Sequence, residues 1–253
     1  MITFGISLLS GGLDSTTVTA YAKNKCENLI ALTFHYGQSH FKEEFCAQQV
    51  AKIMGVKHKI IDISSFGSVA WYSALTNPES YQIPQYSSDQ DTESTVPITY
   101  VPLRNTIFLS LSAAYLESQI LHAIEVEKFC AEEINAVIYT APNAIDYSGY
   151  PDCRPEYFDQ VCKTLNQGSK LGTQYQIPIK VQTPIIHLSK RNIVEMGIEL
   201  QAPLDYTWSC YTGNDIPCGK CASCLLRSKG FQEAGVPDPL LARLGVGSNV
   251  KGK

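Results

Sequence analysis

Short strand-like runs alternate with helix-like segments along the first quarter of the chain. Strand-forming residues fill 2–9, 29–34 and 59–63, and the segments 16–23 and 41–54 between them have the composition and spacing of helices. Strand, helix, strand, helix, strand in this order predicts a parallel sheet with right-handed crossovers, as in Rossmann-like α/β proteins.

The pattern returns after an irregular stretch. Residues 76–103 are rich in Pro, Ser, Gln, Asp and Tyr, which predicts a functional lid or a mobile insertion. A loop dense in special residues covers 141–155, and Ser189 is placed to cap a short helix that ends at Gly197. The other predicted elements are helices over 105–121, 123–133 and 156–170 and strands over 136–140 and 179–183.

Composition and charge exclude some classes of protein. The 253 residues are 44% hydrophobic and carry a net charge of −4 without a block of like charges, which argues against nucleic-acid binding and favours a small-molecule substrate. The apolar N-terminus lacks a basic leader, and no apolar run is long enough to cross a membrane. Nine cysteines, an odd number with four crowded near the C-terminus, favour a cytoplasmic protein over a secreted one.

A glycine-rich segment, Ser10-Gly11-Gly12-Leu13-Asp14-Ser15, lies between the first predicted strand and the first predicted helix. The glycines let the backbone approach an anion, and the amides of the helix start and the serine hydroxyls are donors. Asp14 is a candidate to hold magnesium or to orient the loop. The segment matches neither the Walker nor the dinucleotide pattern and resembles the PP-loop of ATP pyrophosphatases. The alternative is an ordinary Gly-Gly turn capped by Asp14 or Ser15.

Four cysteines form a second motif, Cys210-x7-Cys218-x2-Cys221-x2-Cys224. Four thiolates within a short segment suit a closed tetrahedral zinc site, and a structural zinc is the favoured interpretation. An iron–sulfur cluster comes next, but Ser228 stands where the bacterial ferredoxin run needs its fourth cysteine. Disulfides are the third interpretation.

The loop that follows the strand 136–140 carries a third group of polar residues. Asp146 and Asp152 suit hydrogen bonding to a guanine-like edge or acid–base work, and Arg154 suits a carboxylate. Tyr150 lies between the two aspartates in the sequence and is a further candidate. The alternative is a capped surface turn, and Cys153 is more simply a packed residue than a nucleophile.

Two smaller groups complete the candidates. Arg104 is a candidate phosphate ligand, and Asn105 is either part of the same site or the N-cap of the following helix. His35 follows the second strand, where an adenine or ribose would lie, and it serves equally well as a packing residue.

Taken together, the motifs resemble the 7-cyano-7-deazaguanine synthase family of PP-loop enzymes from about residue 7 to residue 235. The resemblance rests on the order of five motifs: the PP-loop segment, His35-Tyr36-Gly37-Gln38, Val101-Pro102-Leu103-Arg104-Asn105-Thr106, Tyr147-Ser148-Gly149-Tyr150-Pro151-Asp152-Cys153-Arg154, and Thr207-Trp208-Ser209-Cys210 with the cysteines that follow.

The resemblance implies an ATP-dependent carbon–nitrogen ligase in queuosine-type biosynthesis. It would convert 7-carboxy-7-deazaguanine and ammonia to the 7-cyano base through an adenylated acid and an adenylated amide, releasing AMP and diphosphate. The fold implied is a PP-loop α/β domain over 1–200 with a zinc-binding region over 201–253. Magnesium would accompany ATP, one structural zinc would lie on Cys210, Cys218, Cys221 and Cys224, and the protein would be a homodimer. The ATP-binding residues implied are Leu8, Leu9, Ser10, Gly11, Gly12, Leu13, Asp14, Ser15, Thr16, Thr17 and Val18.

Three features depart from the family pattern: a longer segment from Glu117 to Glu133, Pro142 after the strand 136–140, and a very polar loop over 77–96. A related enzyme that adenylates a tRNA base or another deazaguanine-linked acceptor is the second hypothesis. A nucleotide-binding or zinc-ribbon module without turnover is the third, and the acidic loop argues against it.

Overall fold

The first strand of the chain lies at the centre of the sheet. The computed structural model describes residues 1–38, 41–86, 96–145 and 149–246. The strands in this part of the chain are all parallel, in the order β3-β2-β1-β4-β5. They are β1 (Ile2–Leu8), β2 (Asn28–His35), β3 (Lys57–Asp62), β4 (Ile134–Tyr139) and β5 (Ile179–Gln182). The predicted Rossmann-like parallel sheet is confirmed.

Helices cover both faces of this sheet because its inner strands are apolar on both sides. The helices are α1 (Leu13–Lys23), α2 (Lys42–Met54), α3 (Ser65–Val69), α4 (Arg104–Glu125), α5 (Pro155–Gln167), α6 (Lys190–Glu199), α7 (Ala222–Glu233) and α8 (Pro239–Arg243). On one face Ile6 of β1 packs in a cluster with Leu116 of α4. On the other face Val137 of β4 packs with Val18 of α1 and Ile193 of α6.

Contrary to the expectation that no apolar run is long enough to cross a membrane, helix α4 is long and apolar enough by length and composition alone. Its buried residues Leu109, Ala113, Leu116 and Ile120 recur with the spacing of one helical face, and they belong to the core cluster that includes β1 and β4. The apolar face of α4 is therefore covered by the sheet, as expected of a core helix.

Several predicted boundaries are wrong. The predicted helix over 123–133 does not exist, since α4 continues to Glu125, Lys128 then takes a left-handed φ of 64°, and only the 3-10 turn Ala131–Glu133 follows. Helix α5 ends at Gln167 rather than 170 and is followed by a π-helical turn, Leu171–Tyr175. Of the predicted loop 76–103, residues 87–95 lie outside the described residues.

The C-terminal segment packs on the sheet domain. Helix α7 lies against α6, and α8 lies against the 3-10 turn Leu204–Tyr206. The buried side chain of Arg227 on α7 makes a bidentate ion pair with Asp238, at 2.6 and 2.9 Å, and also donates to Thr207 Oγ1 at 2.8 Å. Asp238 in turn caps α8. The boundary between residues 200 and 201 stays a prediction.

Candidate active site

A cavity opens at the point where the strand order reverses. The connections from β1 and β4 leave in opposite directions there, and ligands of parallel α/β sheets bind at such points. The cavity of about 250 Å³ is bounded by the segment after β1, the start of α2, the start of α4, the loops after β4, and the C-terminal segment. The predicted site residues that line it are Leu8, Leu9, Ser10, Gly12, Leu13, Asp14, Ser15, Arg104, Asn105 and Tyr150.

The remaining predicted residues lie elsewhere. Thr16, Thr17 and Val18 are buried in α1 behind the loop. Neither Asp152 nor Arg154 is among the residues that line the cavity. Asp146 lies outside the described residues.

The segment between β1 and α1 presents the start of a helix to the cavity. Helix α1 has Gly12 as its N-cap and no side-chain cap, so its first backbone amides are available to an anion. The hydroxyls of Ser10 and Ser15 lie 2.9 Å apart, and Ser15 Oγ also accepts from the amide of Ser10 at 3.2 Å. These hydrogen bonds hold the two serine side chains together at the N-terminus of α1. This arrangement suits the binding of phosphate groups.

Neighbouring backbone holds the same loop from two sides. Gly11 has a φ of 88°, and a Cβ on it would lie 2.2 Å from the carbonyl oxygen of Glu43, so only glycine fits between the loop and α2. The carbonyl of Gly11 accepts a hydrogen bond of 2.8 Å from the amide of Trp208. Because the indole of Trp208 is fully buried, the C-terminal segment is fixed against the loop.

Lys190 is a cavity residue that the sequence did not single out. It is the first residue of α6, and its Nζ donates to both carboxylate oxygens of Asp14, at 2.9 and 2.8 Å. Its side chain is buried, and Gly230 lies so close that a Cβ there would be 2.4 Å from Lys190 Cγ. Lys190 thus brings a positive charge to a loop that has no Walker lysine, and Asp14 orients that charge.

Arg104 brings a second positive charge to the opposite wall of the cavity. Its guanidinium carbon lies 5.9 Å from the centre of the Tyr36 ring. Burial alone would lower the pKa of Arg104, but Tyr36, Tyr150 and Asp152 raise it above its ordinary value, so the group stays charged. A charged guanidinium in this wall can bind a carboxylate or a phosphate.

Asn105 contacts the loop before α5 and is not the N-cap of α4. The N-cap is Leu103, in a left-handed conformation with a φ of 55°. The amide of Asn105 donates to Asp152 Oδ2 at 3.3 Å, and its side chain donates to the carbonyl of Asp152 at 3.1 Å. Burial raises the pKa of the Asp152 carboxyl while Arg104 lowers it. Asp152 therefore supports the start of α4 from behind the cavity wall.

Of the other residues in the loop before α5, some line the cavity and one is exposed on the surface. Tyr150 is buried, and its hydroxyl lies 2.8 Å from Thr99 Oγ1. Cys153 lines the cavity, but burial raises its pKa to about 12, with Asp152 adding to the effect, so it stays a neutral thiol. Arg154 is exposed at the N-cap of α5. Asp152 and Arg154, which the sequence made candidates for substrate binding, thus lie outside the lining of the cavity.

His35 is a packing residue in this structure. Its ring stacks on Phe41 with centroids 5.0 Å apart, and its Nδ1 lies 3.5 Å from Glu44 Oε2. Its neighbours Tyr36 and Gln38 line the cavity instead, and Gln38 Oε1 accepts from the amide of Tyr36 at 2.8 Å.

The four cysteines of the second motif come together. The Sγ atoms of Cys210, Cys218, Cys221 and Cys224 all lie within 4.8 Å of one another, and all nine cysteines of the chain are free thiols. A tetrahedron of thiolates about 2.3 Å from a zinc ion has sulfur–sulfur edges near 4 Å, so the four residues fit such a metal.

The backbone between the cysteines supports a bound metal. Gly219 takes a φ of 71°, and in the resulting turn the amides of Lys220 and Cys221 point at Cys218 Sγ, at 3.5 and 3.3 Å. Such amide donors stabilise a metal-bound thiolate. Trp208 Nε1 donates to the carbonyl of Cys210 at 2.9 Å, so the tryptophan that contacts the loop between β1 and α1 also contacts the segment that carries the four cysteines.

The family model described as "Queuosine biosynthesis protein QueC" matches residues 5–235. The 7-cyano-7-deazaguanine synthase of Thermoplasma volcanium is 47% identical over 238 residues, which cover 93% of this chain and 89% of that protein. The enzyme of the same name from Desulfatibacillum aliphaticivorans is 43% identical over 239 residues, covering 92% and 94%. Among solved structures, an NMN synthetase from Francisella tularensis covers 96% of this chain and 76% of its own at 15% identity and a TM-score of 0.39, too distant a likeness to carry an argument.

Proposed function

This chain belongs to the QueC family of queuosine biosynthesis proteins, and from that premise we propose that it is an ATP-dependent 7-cyano-7-deazaguanine synthase. It converts 7-carboxy-7-deazaguanine and ammonia to the nitrile and releases AMP and diphosphate. The observation that carries the proposal is the uncapped start of α1, with its serine pair, at one wall of a cavity whose opposite wall holds Arg104.

The first half-reaction turns the carboxylate into an amide. A carboxylate oxygen attacks the α-phosphorus of ATP, diphosphate leaves, and the acyl-adenylate then reacts with ammonia to give the amide and AMP. The amides of α1 and the hydroxyls of Ser10 and Ser15 hold the phosphate oxygens. Lys190, oriented by Asp14, stabilises the negative charge that accumulates on the departing diphosphate.

The second half-reaction turns the amide into the nitrile at the same loop. The amide oxygen attacks the α-phosphorus of a second ATP and diphosphate leaves, and loss of AMP together with both N–H protons then leaves the carbon–nitrogen triple bond. Both steps use the same phosphate-binding groups, so a defect in the loop affects both. Arg104 contributes differently, since only the acid carries a carboxylate for it to bind.

Metal ions complete the proposal. One zinc ion on Cys210, Cys218, Cys221 and Cys224 has a structural role, since all four coordination positions are filled by protein and none is left for a substrate. Magnesium enters with ATP as the counter-ion of its phosphates. We assign ATP binding to residues 8–18, as the resemblance implies.

Location and assembly follow from the same premise. Nine unpaired cysteines support a reducing compartment such as the cytoplasm. The resemblance implies a homodimer, and the sedimentation velocity of the purified protein measures this directly.

One assay tests the function. Purified protein is incubated with ATP, ammonium and 7-carboxy-7-deazaguanine, and mass spectrometry follows the acid, the amide and the nitrile while the nucleotides are separated. We expect the amide and then the nitrile, with AMP and diphosphate. ADP and phosphate as the substrate-dependent products, or no nitrile, would refute the proposal.

A further inference from the structure

The carboxylate of Glu43 is one of the acidic groups in the lining of the cavity. Three acidic residues line the cavity within the described part of the chain: Asp14, Glu43 and Glu44. Asp14 is held by Lys190 at 2.8 and 2.9 Å, and Glu44 lies 3.5 Å from His35. Among the described residues, no hydrogen bond or ion pair to the Glu43 side chain is found. A partly buried carboxylate in this state is available to a cationic ligand.

The position of Glu43 beside the phosphate-binding loop is fixed by packing. Glu43 lies in the first turn of α2, and its carbonyl oxygen would be 2.2 Å from a Cβ on Gly11. The backbone of Glu43 therefore touches the loop that binds the phosphates, while its side chain reaches the cavity. The nitrogen nucleophile has to approach the adenylated carbon in the same cavity.

The proposed reaction needs a base for nitrogen in each half. Ammonia in neutral water is mostly ammonium, which has no lone pair and must give up a proton before it attacks the acyl-adenylate. In the second half, the nitrogen of the adenylated amide must give up its N–H protons as AMP leaves. Each half releases two protons from nitrogen, one pair from ammonium and one pair from the amide. AMP is the leaving group in both halves, and neither half requires an oxidant or a reductant.

We propose that Glu43 binds the ammonium ion and accepts a proton from nitrogen in both half-reactions. This inference rests on the proposed function and adds to it a site for the nucleophile. One proton passes from ammonium to a Glu43 oxygen, ammonia attacks the acyl carbon, the attached nitrogen loses its second proton to solvent, and the bond to AMP breaks. In the second half the amide nitrogen loses one proton to solvent and the other to the same Glu43 oxygen as AMP leaves.

The charges around Glu43 suit this role. The groups that interact electrostatically with it are Arg104 of α4, Tyr36 directly after β2, Cys46 on α2 itself and Cys210 of the C-terminal segment. Burial, the largest effect, raises the pKa of Glu43, while Arg104 lowers it. A carboxylate whose pKa is raised toward neutrality accepts a proton and releases it again at physiological pH.

Glu43→Gln tests the proposal because it keeps the shape of the side chain and removes the base. Three rates are measured: acid-dependent exchange of diphosphate into ATP without ammonium, amide formation from the acid, and nitrile formation from the amide. We expect exchange within about 3-fold of wild type and a loss of about 100-fold or more in both nitrogen steps. Higher ammonium or higher pH should restore amide formation, because free ammonia then comes from solution, but should not restore nitrile formation.

Two further variants separate this role from a structural one. Glu44→Gln, the neighbouring acid, should keep the wild-type dependence on ammonium and pH. Glu43→Asp retains a carboxylate and should retain part of both nitrogen steps, which also covers the case in which Glu43→Gln does not fold.

Three results would overturn the inference. They are wild-type amide and nitrile formation in Glu43→Gln, loss of diphosphate exchange along with both nitrogen steps, and a Glu43→Asp variant no better than the glutamine variant. If the wild-type protein itself forms no nitrile, it is the proposed function that fails.

Discussion

Lys190→Met tests what the buried ammonium group of Lys190 contributes to the stability of the fold and to the rate of adenylation. Methionine keeps most of the aliphatic stem that packs against Gly230 and removes the charge that holds both oxygens of Asp14, at 2.8 and 2.9 Å. The lysine and aspartate side chains are 7% and 19% exposed, so the variant leaves a largely buried carboxylate without its partner. Breaking a buried pair from one side costs about 3–5 kcal/mol, and the partial exposure of Asp14 places the expected loss of unfolding free energy near 3 kcal/mol.

The same variant, Lys190→Met, should also slow adenylation. A hydrogen bond to a charged phosphate oxygen contributes about 1.5–3 kcal/mol, so adenylation should slow by roughly 10- to 150-fold. Adenylation of the acid and adenylation of the amide should slow by the same factor, because both occur at the same loop. Diphosphate exchange with each substrate measures this, and urea denaturation measures stability.

The double variant Asp14→Asn with Lys190→Met distinguishes the two contributions. Removing the lone carboxylate as well should recover much of the lost stability, since the cost lies in the unpaired charge. Exchange should stay slow, because no ammonium group faces the phosphates. Full recovery of exchange in the double variant would show that Lys190 serves only to neutralise Asp14, and a stable, fully active Lys190→Met would refute both parts of the argument.

Three other predictions concern the remaining parts of the site. Arg104→Ala should slow the reaction of the acid more than that of the amide, with a loss of about 1.5–3 kcal/mol in transition-state stabilisation for the acid. Arg154→Ala, at an exposed position, should slow neither reaction, and equal losses on both substrates in Arg104→Ala would assign Arg104 to phosphate binding. Cys221→Ser should lower the metal content measured by mass spectrometry and destabilise the fold before it alters the chemistry, and a metal-free, fully active protein would contradict this. Asp238→Ala should cost about 3–5 kcal/mol of unfolding free energy, seen by denaturant titration, because it leaves Arg227 buried without its carboxylate.

The parts of the fold that the sequence predicted depend on local patterns. The sheet strands and the helices α1, α2 and α4 were predicted from the composition and spacing of their residues, and α6 was predicted from its cap at Ser189. The helix predicted over 123–133 fails because Lys128 adopts a left-handed backbone conformation, which side-chain periodicity does not report. Helices α7 and α8 were not predicted, since the segment depends on the cysteine cluster and on the Arg227–Asp238 pair for its shape.

In the candidate site, too, the residues in contiguous motifs were predicted and a residue distant in sequence was not. Ser10, Asp14 and the four cysteines were predicted because their chemistry lies in contiguous motifs. Lys190 is 176 residues from Asp14, and a single lysine after a serine cap gives no signal of its own. Its one sequence cue is its place at a helix start directly after the loop that follows β5, at the same edge of the sheet as the loop between β1 and α1.

The contacts of Gly11 explain why distant residues belong to one site. Its carbonyl accepts from Trp208 at 2.8 Å, and the space beside its Cα is filled by the backbone of Glu43. The loop can therefore keep its shape only while α2 and the C-terminal segment stay docked, and the metal-ligand segment continues directly from Trp208 through Cys210. The first amides of α1, the cysteine cluster and Glu43 are all connected to this one point of contact. A change in any of them is therefore transmitted to the others through tightly packed backbone.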